Sequence, residues 1–382
     1  MVKICHMTSV HNAKDDRIFE KECTSLAKSS DCIVYLIATN TNNFRVNNVN
    51  IMSAGTRSEG RFKRFFCTAK NVYLKAVKLN ADIYHIHDPE LFRYAKKLKK
   101  LGKIVIIDSH EHYALQILQK NYIPKYLRKF ASNAYLKYET SLFKLSDAVI
   151  VPIPAFGKYN YNNRSNKVVY LNNYPSLDSI VNQYDSIKIH RGKSACYTGG
   201  LSKSRGIINI VKACSKAGVK LILAGPFDSE EFKSEIEGME EWSNVDYRGV
   251  CTREEVLSIY NESSVGLNVL MNVGQYANVS NLSTKVYEYM SFELPVIINS
   301  YSYGDMLISK YAFGVSVNPE NIDEIVDAIS ELINNIDIAR SMGRRGRALV
   351  AEKFNWGIEE KKLYSLYNEL LEDNNIKGRL SL

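Results

Sequence analysis

The stretch Asp82–His110, DIYHIHDPELFRYAKKLKKLGKIVIIDSH, decides the fold class. DIYHIH and KIVIID are short apolar runs that read as strands, and a helical pattern near 89–100 separates them. Strand, helix and strand in so short a span form a βαβ unit, whose two strands run parallel. The same rhythm extends in both directions. VKICHM, CIVYLIA, DAVIVP and KVVYLNN read as further strands of the first half, with helical patterns near 17–29, 61–79 and 120–145. The second half repeats it: SACYTGG, KLILAG, VDYRG, SVGLNVL, LPVIIN and FGVSVN as strands, and helices near 205–216, 228–239, 252–262, 281–292 and 320–334. The expectation is an α/β protein of two tandem Rossmann-like domains facing across a cleft, where the carboxyl ends of both sheets meet. Boundaries are expected at 1–173 for the first domain, 174–193 for a polar linker and 194–355 for the second domain. The remainder, 356–382, is expected as a final helix and tail crossing back to the first domain, its apolar residues Ile358, Leu363, Leu366, Leu370 and Leu371 at helical spacing.

The chain has 382 residues, 45% hydrophobic and 24% charged, as in ordinary globular proteins. Its seven cysteines are scattered, with no CxxC pair, which excludes a disulfide framework and fits a reducing compartment. No apolar run approaches the roughly 18 residues of a membrane span, and MVKICHMTSVH lacks a signal-peptide core, so a cytoplasmic protein is expected. The net charge of +9 is uneven: residues 1–173 hold 28 Lys and Arg against 13 Asp and Glu. That basic half is expected to face something anionic.

An electrostatic oddity lies in NLSTKVYEYMSFELPVI, residues 281–297. With Ser283 or Thr284 as the N-cap, Lys285 falls in the first turn of a helix, where a cation opposes the dipole by roughly 0.3–1 kcal/mol. Glu288 follows one turn later on the same face. A phosphate bound at the helix N-terminus explains both the position and the charge of Lys285. Arg205, in KSRGI, offers a second cation with a guanidinium suited to bidentate phosphate contact. In YTGG, Gly199 and Gly200 let backbone approach such a group closely. His85 and His87 share a strand face at a metal-ligand spacing, but no third ligand is evident, and no metal is expected.

In order and spacing, TSVHNAKDDRIFEKECTSLA, DIYHIHDPEL, VIIDSHEHY, YTGGLSKSRGI, NLSTKVYEYM with LPVI, and KFNWGIEEKKLYSLY resemble the retaining glycosyltransferases of family 4. The likeness covers nearly the whole chain. It implies the GT-B fold, a nucleotide-diphosphate-sugar donor, a glycan or lipid-linked glycan acceptor and no cofactor or metal. It implies that Arg205 and Lys285 meet the leaving diphosphate, that Glu288 accepts the ribose hydroxyls, and that His110 supports the reacting sugar. Gly199, Gly200, Lys203, Asn281, Leu282, Ser283 and Thr284 complete the implied donor site. His11, Asp16, Arg17, His87, Asp88 and Glu111 are assigned to the acceptor side, Asp16 serving equally as an N-cap.

Ser280 stands where many relatives have a glutamate, shifting sugar recognition toward Asn281. Gly200 replaces an arginine, Arg205 a lysine, and Glu293 the usual helix-stopping glycine. GRFKRFFCTAKNVYLKAVK and KNYIPKYLRKFASNAYLKY interleave basic and aromatic residues, as segments on anionic membranes do. The expected place is therefore the inner face of the cell membrane, peripherally bound. A nucleic-acid-binding protein lacks any binding module here and leaves Lys285–Glu288 unexplained. An inactive scaffold and a GT-B epimerase are the alternative readings.

Overall fold

A computed structural model describes residues 1–110, 112–118, 120, 123–177, 192–273, 280–376, 378 and 380–381. Glu111, most of the expected linker (178–191) and most of the loop 271–280 (274–279) lie outside the described residues. The chain forms two compact units, Met1–Asn173 with Trp356–Leu382, and Tyr174–Asn355.

In the first unit the strands are β1 (Val2–Met7), β2 (Cys32–Ala38), β3 (Phe44–Val46), β4 (Val49–Ser53), β5 (Ile83–Ile86), β6 (Ile104–Asp108), β7 (Ala148–Val151) and β8 (Val168–Tyr170). Their order is β3-β4-β2-β1-β5-β6-β7-β8. Every neighbouring pair is parallel except β3–β4. That hairpin is not among the sequence-read strands. Its signal is Asn47–Asn48, both with positive φ (48° and 61°), the pairing that a two-residue hairpin turn requires. The pattern near 120–145 resolves into a helix over Lys125–Phe143 after a short one over Tyr113–Ile117.

Because side chains alternate across a strand, each face of this sheet has its own core. Cys5, Met7, Tyr84, Ile86, Val105 and Ile107 pack on one side with Val72, Leu91, Phe92 and Phe143. Ile4, Ile83, Ile104 and Ile106 face the other, against Phe19, Leu26 and the helix Trp356–Asp373. On that second face the same alternation continues to the strand ends, and there the residues are His6, His85, His87 and Asp108. Trp356 donates from Nε1 to Ser25 Oγ at 2.8 Å, fixing the start of the final helix on this unit.

The second unit holds β9 (Ser194–Thr198), β10 (Lys220–Ala224), β11 (Val245–Tyr247), β12 (Val265–Asn268), β13 (Val296–Asn299) and β14 (Gly314–Val317). All pairs are parallel, in the order β11-β10-β9-β12-β13-β14. The helix Thr284–Ser291 has Ser283 as its N-cap and lies on β12. A Cβ on Gly266 would stand 2.4 Å from the Tyr289 ring, so glycine sets that close approach. Glu293 takes the left-handed φ of 52° that a glycine usually supplies, and the turn survives the substitution. Two helices not read from the sequence, Ser302–Tyr311 and Ile336–Lys353, complete the unit.

Candidate functional site

The second unit gathers cations at the carboxyl end of β9. The Lys285 side chain folds back from the first turn of its helix, and the residue is buried, 9% exposed. Its Nζ lies 2.7 Å from the Tyr197 hydroxyl and 3.8 Å from the centre of that ring. Arg205 brings Nη1 to 3.4 Å from the same hydroxyl. Among the described residues no carboxylate oxygen lies within 4 Å of Lys285 Nζ. Burial, and then the Arg205 guanidinium, push the Lys285 ammonium well below its ordinary range, with Glu288 opposing weakly. The floor of this cradle is Gly199, at φ 123°, where a Cβ would stand 3.1 Å from Lys285 Nζ. Gly206, at φ 70°, hands the turn Lys203–Arg205 to the helix Ile207–Lys216, and a Cβ there would collide with Val269 O at 2.0 Å.

Glu288 sits one turn beyond Lys285 with its side chain 19% exposed. Arg253 Nη1 contacts one carboxylate oxygen at 2.6 Å, and the Tyr260 hydroxyl donates to the other at 2.8 Å. Tyr260 is itself tied to Thr198 Oγ1 at 2.9 Å, so Glu288 is held in place from β9. Each oxygen keeps a lone pair for a further donor.

The remaining donor-side residues divide. Leu282 is core, and Ser283 makes no side-chain cap hydrogen bond, so no side chain of the N-cap covers the helix start, although Val286 N donates to Ser283 O at 2.9 Å. Thr284 opens the helix. Asn281 does not stand ready for a sugar hydroxyl: its Oδ1 accepts from Leu282 N at 2.9 Å and from the Tyr287 hydroxyl. Lys203 turns away, its Nζ 2.6 Å from Glu235 at the surface, and does not join the cradle. Ser280 Oγ is buried without a hydrogen-bond partner among the described residues.

In the first unit the strand-end residues form a dense polar cluster. Arg17 is buried, with Nε 3.1 Å from Asp108 and 3.1 Å from Glu22, and with Nη1 on Leu171 O. The sequence reading assigned Arg17 to the acceptor side; burial makes it an internal counter-ion instead. Burial alone would raise the Asp108 carboxyl, but Arg17 and His110 hold it well below the usual range. Glu22 goes the other way, raised by burial and by the adjacent Asp108 charge. His110 Nδ1 lies 3.1 Å from Asp108, and its side chain keeps 12% exposure.

His87 and Asp88 are 0% and 1% exposed, so neither lines an open acceptor surface. Asp88 instead clamps the loop after β1, accepting from Thr8 Oγ1 at 2.8 Å and from the amides of Ser9 and Val10. His11 bridges Asp15 (3.2 Å) and Asp88 (3.4 Å) beside His110. The cap of the following helical turn is Asp15, whose Oδ1 accepts from the amides of Arg17 and Ile18 at 2.9 Å each; Asp16 pairs with Lys21. Arg253, Tyr260, Asp108, Glu22 and His6 escaped the sequence reading of the site, and Tyr197, within the YTGG donor loop, was given no role of its own. The available signal for His6 and Asp108 was their place at the carboxyl ends of β1 and β6, the two strands that flank β5 with its His85 and His87.

Solved structures that resemble the whole chain define its class. Sucrose-phosphate synthase from Thermosynechococcus elongatus superimposes with a TM-score of 0.72 at 15% identity, covering 98% of this chain and 100% of that one. Anabaena HepE, solved with UDP and glucose, gives 0.69 at 11% identity, covering 97% and 100%. At such identities the likeness is one of fold: two tandem Rossmann-like domains of the GT-B class.

Residues 184–349 match the family model described as glycosyl transferases group 1. The capsular polysaccharide biosynthesis glycosyltransferase CapM of Staphylococcus aureus is 25% identical over 183 residues, which is 47% of this chain and 46% of CapM. An uncharacterized glycosyltransferase of Methanocaldococcus jannaschii is 21% identical over 182 residues, 46% of this chain and 45% of its own length. The matched stretches span less than half the length of either relative. These findings bear out the resemblance read from the motifs.

Proposed function

We propose that the chain is a retaining glycosyltransferase that moves a sugar from a nucleotide-diphosphate donor to a hydroxyl of a glycan acceptor in polysaccharide biosynthesis. The observation that carries this reading is Lys285 Nζ, buried beside the Arg205 guanidinium over Gly199, with no carboxylate oxygen within 4 Å of it among the described residues and only Glu288, one turn away, opposing the repulsion. A cation buried against another cation is unfavourable until an anion arrives. A diphosphate fits both cations and a helix N-terminus that its N-cap side chain does not cover. Charge grows on the leaving phosphate oxygen as the glycosidic bond breaks, so the same groups act most strongly in the transition state. On this reading the diphosphate is met by side chains and amides and needs no metal. Glu288, braced by Tyr260, accepts the ribose hydroxyls. The leaving phosphate takes the acceptor's proton on the same face, which preserves the anomeric configuration, and His110 supports charge at the reacting sugar.

The acceptor is proposed to be lipid-linked and the protein to bind the inner membrane face peripherally. The two basic segments support this: Phe62, Phe66, Tyr126 and Phe130 are exposed there among the exposed Lys63, Lys70, Lys125 and Lys129. No helix among the described residues is long and apolar enough to cross a membrane.

Thermal shift with UDP and GDP at millimolar concentration tests the donor site. A ligand at 100 times its Kd stabilises by about 2.7 kcal/mol, well within reach of a melting curve. Glu288→Ala is expected to lose that shift, whereas His110→Ala keeps it and loses turnover. No shift with either nucleotide, or equal loss of affinity in both variants, contradicts the assignment.

A further inference from the structure

We propose that the first unit holds one tetrahedral divalent metal ion of zinc's type, ligated by His6 Nδ1, His85 Nδ1, His87 Nε2 and Glu22 Oε2. The inference is independent of the transferase reading, because the cluster is internal to this unit.

The sequence spacing offers only His85 and His87. Folding supplies the rest. In the parallel β1–β5 pair His6 stands directly opposite His85, and alternation puts both side chains, with His87, on one face. Glu22, from the helical turn Ile18–Cys23, closes over them. Its Oε2 lies 4.0 Å from His6 Nδ1, 3.8 Å from His85 Nδ1 and 3.9 Å from His87 Nε2, and His6 Nδ1 is 2.9 Å from His87 Nε2. All four ligand atoms lie within 4.8 Å of one another. Zinc–ligand bonds of about 2.0–2.1 Å in a tetrahedron separate ligand atoms by roughly 3.3 Å, so closing the shell draws Glu22 Oε2 inward by roughly 0.5–0.7 Å and parts His6 Nδ1 from His87 Nε2 by roughly 0.4 Å. Three imidazoles and a carboxylate are a donor set that zinc favours over magnesium or calcium.

The unsatisfied atoms point the same way. Among the described residues neither oxygen of Glu22 accepts a well-aligned hydrogen bond, although the residue is wholly buried and Oε1 pairs with Arg17 Nε at 3.1 Å, and His85 Nε2 and His87 Nδ1 likewise make none. Leaving such groups unmet is costly, and a native cluster of them calls for a cause. With an ion on the inner nitrogens, the outer ones become N–H donors aimed at Asp108 Oδ2, 3.6 Å from His87 Nδ1 and 3.9 Å from His85 Nε2. The third imidazole has its outer nitrogen, His6 Nε2, 3.4 Å from the Tyr367 hydroxyl. Carboxylates and hydroxyls behind ligating histidines are the usual outer shell of such sites. On binding, Tyr367 exchanges its present 2.9 Å contact with His85 Nδ1 for His6.

The full chain, stripped with a chelator and dialysed against Zn²⁺, is expected to retain about one ion per chain through gel filtration and to melt at a higher temperature. Co²⁺ in its place is expected to give the intense visible absorption of a four-coordinate ion. Glu22→Gln and His85→Gln should lose the retained ion, and His112→Gln, outside the cluster, should keep it. The proposal is overturned by an unchanged melting temperature with no retained zinc, by the weak spectrum of six-coordinate cobalt, or by full retention in both ligand variants. If a ligand variant fails to fold, the cobalt spectrum and the chelator-dependent melting of the unaltered chain decide.

Discussion

The two units bury charge in opposite ways. In the first, Arg17 is offset by Asp108 and Glu22, and the three histidines around them stay neutral because burial, then neighbouring histidines, keep His6 and His85 well below their ordinary range. In the second, Lys285 and Arg205 approach one hydroxyl, and Lys285 has no carboxylate beside it among the described residues. A buried guanidinium with its counter-ions is part of the scaffold. A buried ammonium whose charge is repelled by its neighbour stores unfavourable energy that a bound anion can release. The contrast separates a core network from the proposed anion site more sharply than either cluster does alone.

The largest effect should come from breaking the compensated side. Arg17→Met leaves Asp108 and Glu22 facing each other in the core, and the loss of unfolding free energy is expected at about 3–5 kcal/mol. Urea denaturation of the metal-free chain measures it. A loss below 1 kcal/mol, which surface pairs give, would mean that the network is solvated and the comparison empty.

Lys285→Met should do the reverse. Unfolding free energy is expected to rise, while nucleotide affinity falls by the about 1.5–3 kcal/mol of a charged hydrogen bond. The pH dependence sharpens this. Unfolded, Lys285 keeps its proton to the ordinary value of 10.5; folded, it gives the proton up well below that. Between the two values the unfolded state binds the extra proton, so the Lys285 contribution to stability rises with pH, by at most about 1.4 kcal/mol per unit. The gain from Lys285→Met should therefore be largest near neutral pH and shrink toward 10.5. A variant less stable than the parent at neutral pH would show that the ammonium is already compensated.

The legible and illegible parts of the molecule follow the same physical division. Parallel strands buried on both faces are nearly continuous apolar runs, so DIYHIH, KIVIID and SACYT stand out along the chain. Lys285 was legible because a local rule, the helix dipole, is violated there. Arg205 and Gly199 followed from residue chemistry close to a strand end. The partners of these groups were not legible. Tyr260 reaches Glu288 from 28 residues away, and Glu22 meets His85 only after β1, β5 and an intervening helical turn are assembled. Arg17 failed as a site residue for the same reason: its environment is made by Asp108, Glu22 and Leu171, none of them near it in sequence except Glu22. Positions set by period are readable, whereas contacts set by register and long connections are not.

The smallest expected effect lies at the surface, where the contrast between the units continues as one of net charge. The first 173 residues carry 28 basic and 13 acidic residues, and their exposed aromatics cluster with lysines. Phe62 lies tilted against Phe66, ring centroids 4.6 Å apart, with Phe62 77% exposed and Phe130 74% exposed. If these rings enter the headgroup region, each nearby lysine adds about 1 kcal/mol on an anionic bilayer, or roughly fivefold in partitioning. Lys63→Gln with Lys129→Gln should then weaken flotation with phosphatidylserine vesicles by roughly 30-fold at low salt. High salt should erase the difference between parent and variant, since screening acts on exposed charges. Phe62→Ser with Phe130→Ser should lower binding at both salt concentrations, because apolar burial is not screened. Equal flotation on neutral and anionic vesicles would remove the electrostatic part, and full binding of both double variants would remove the surface itself, leaving the basic excess without a membrane role.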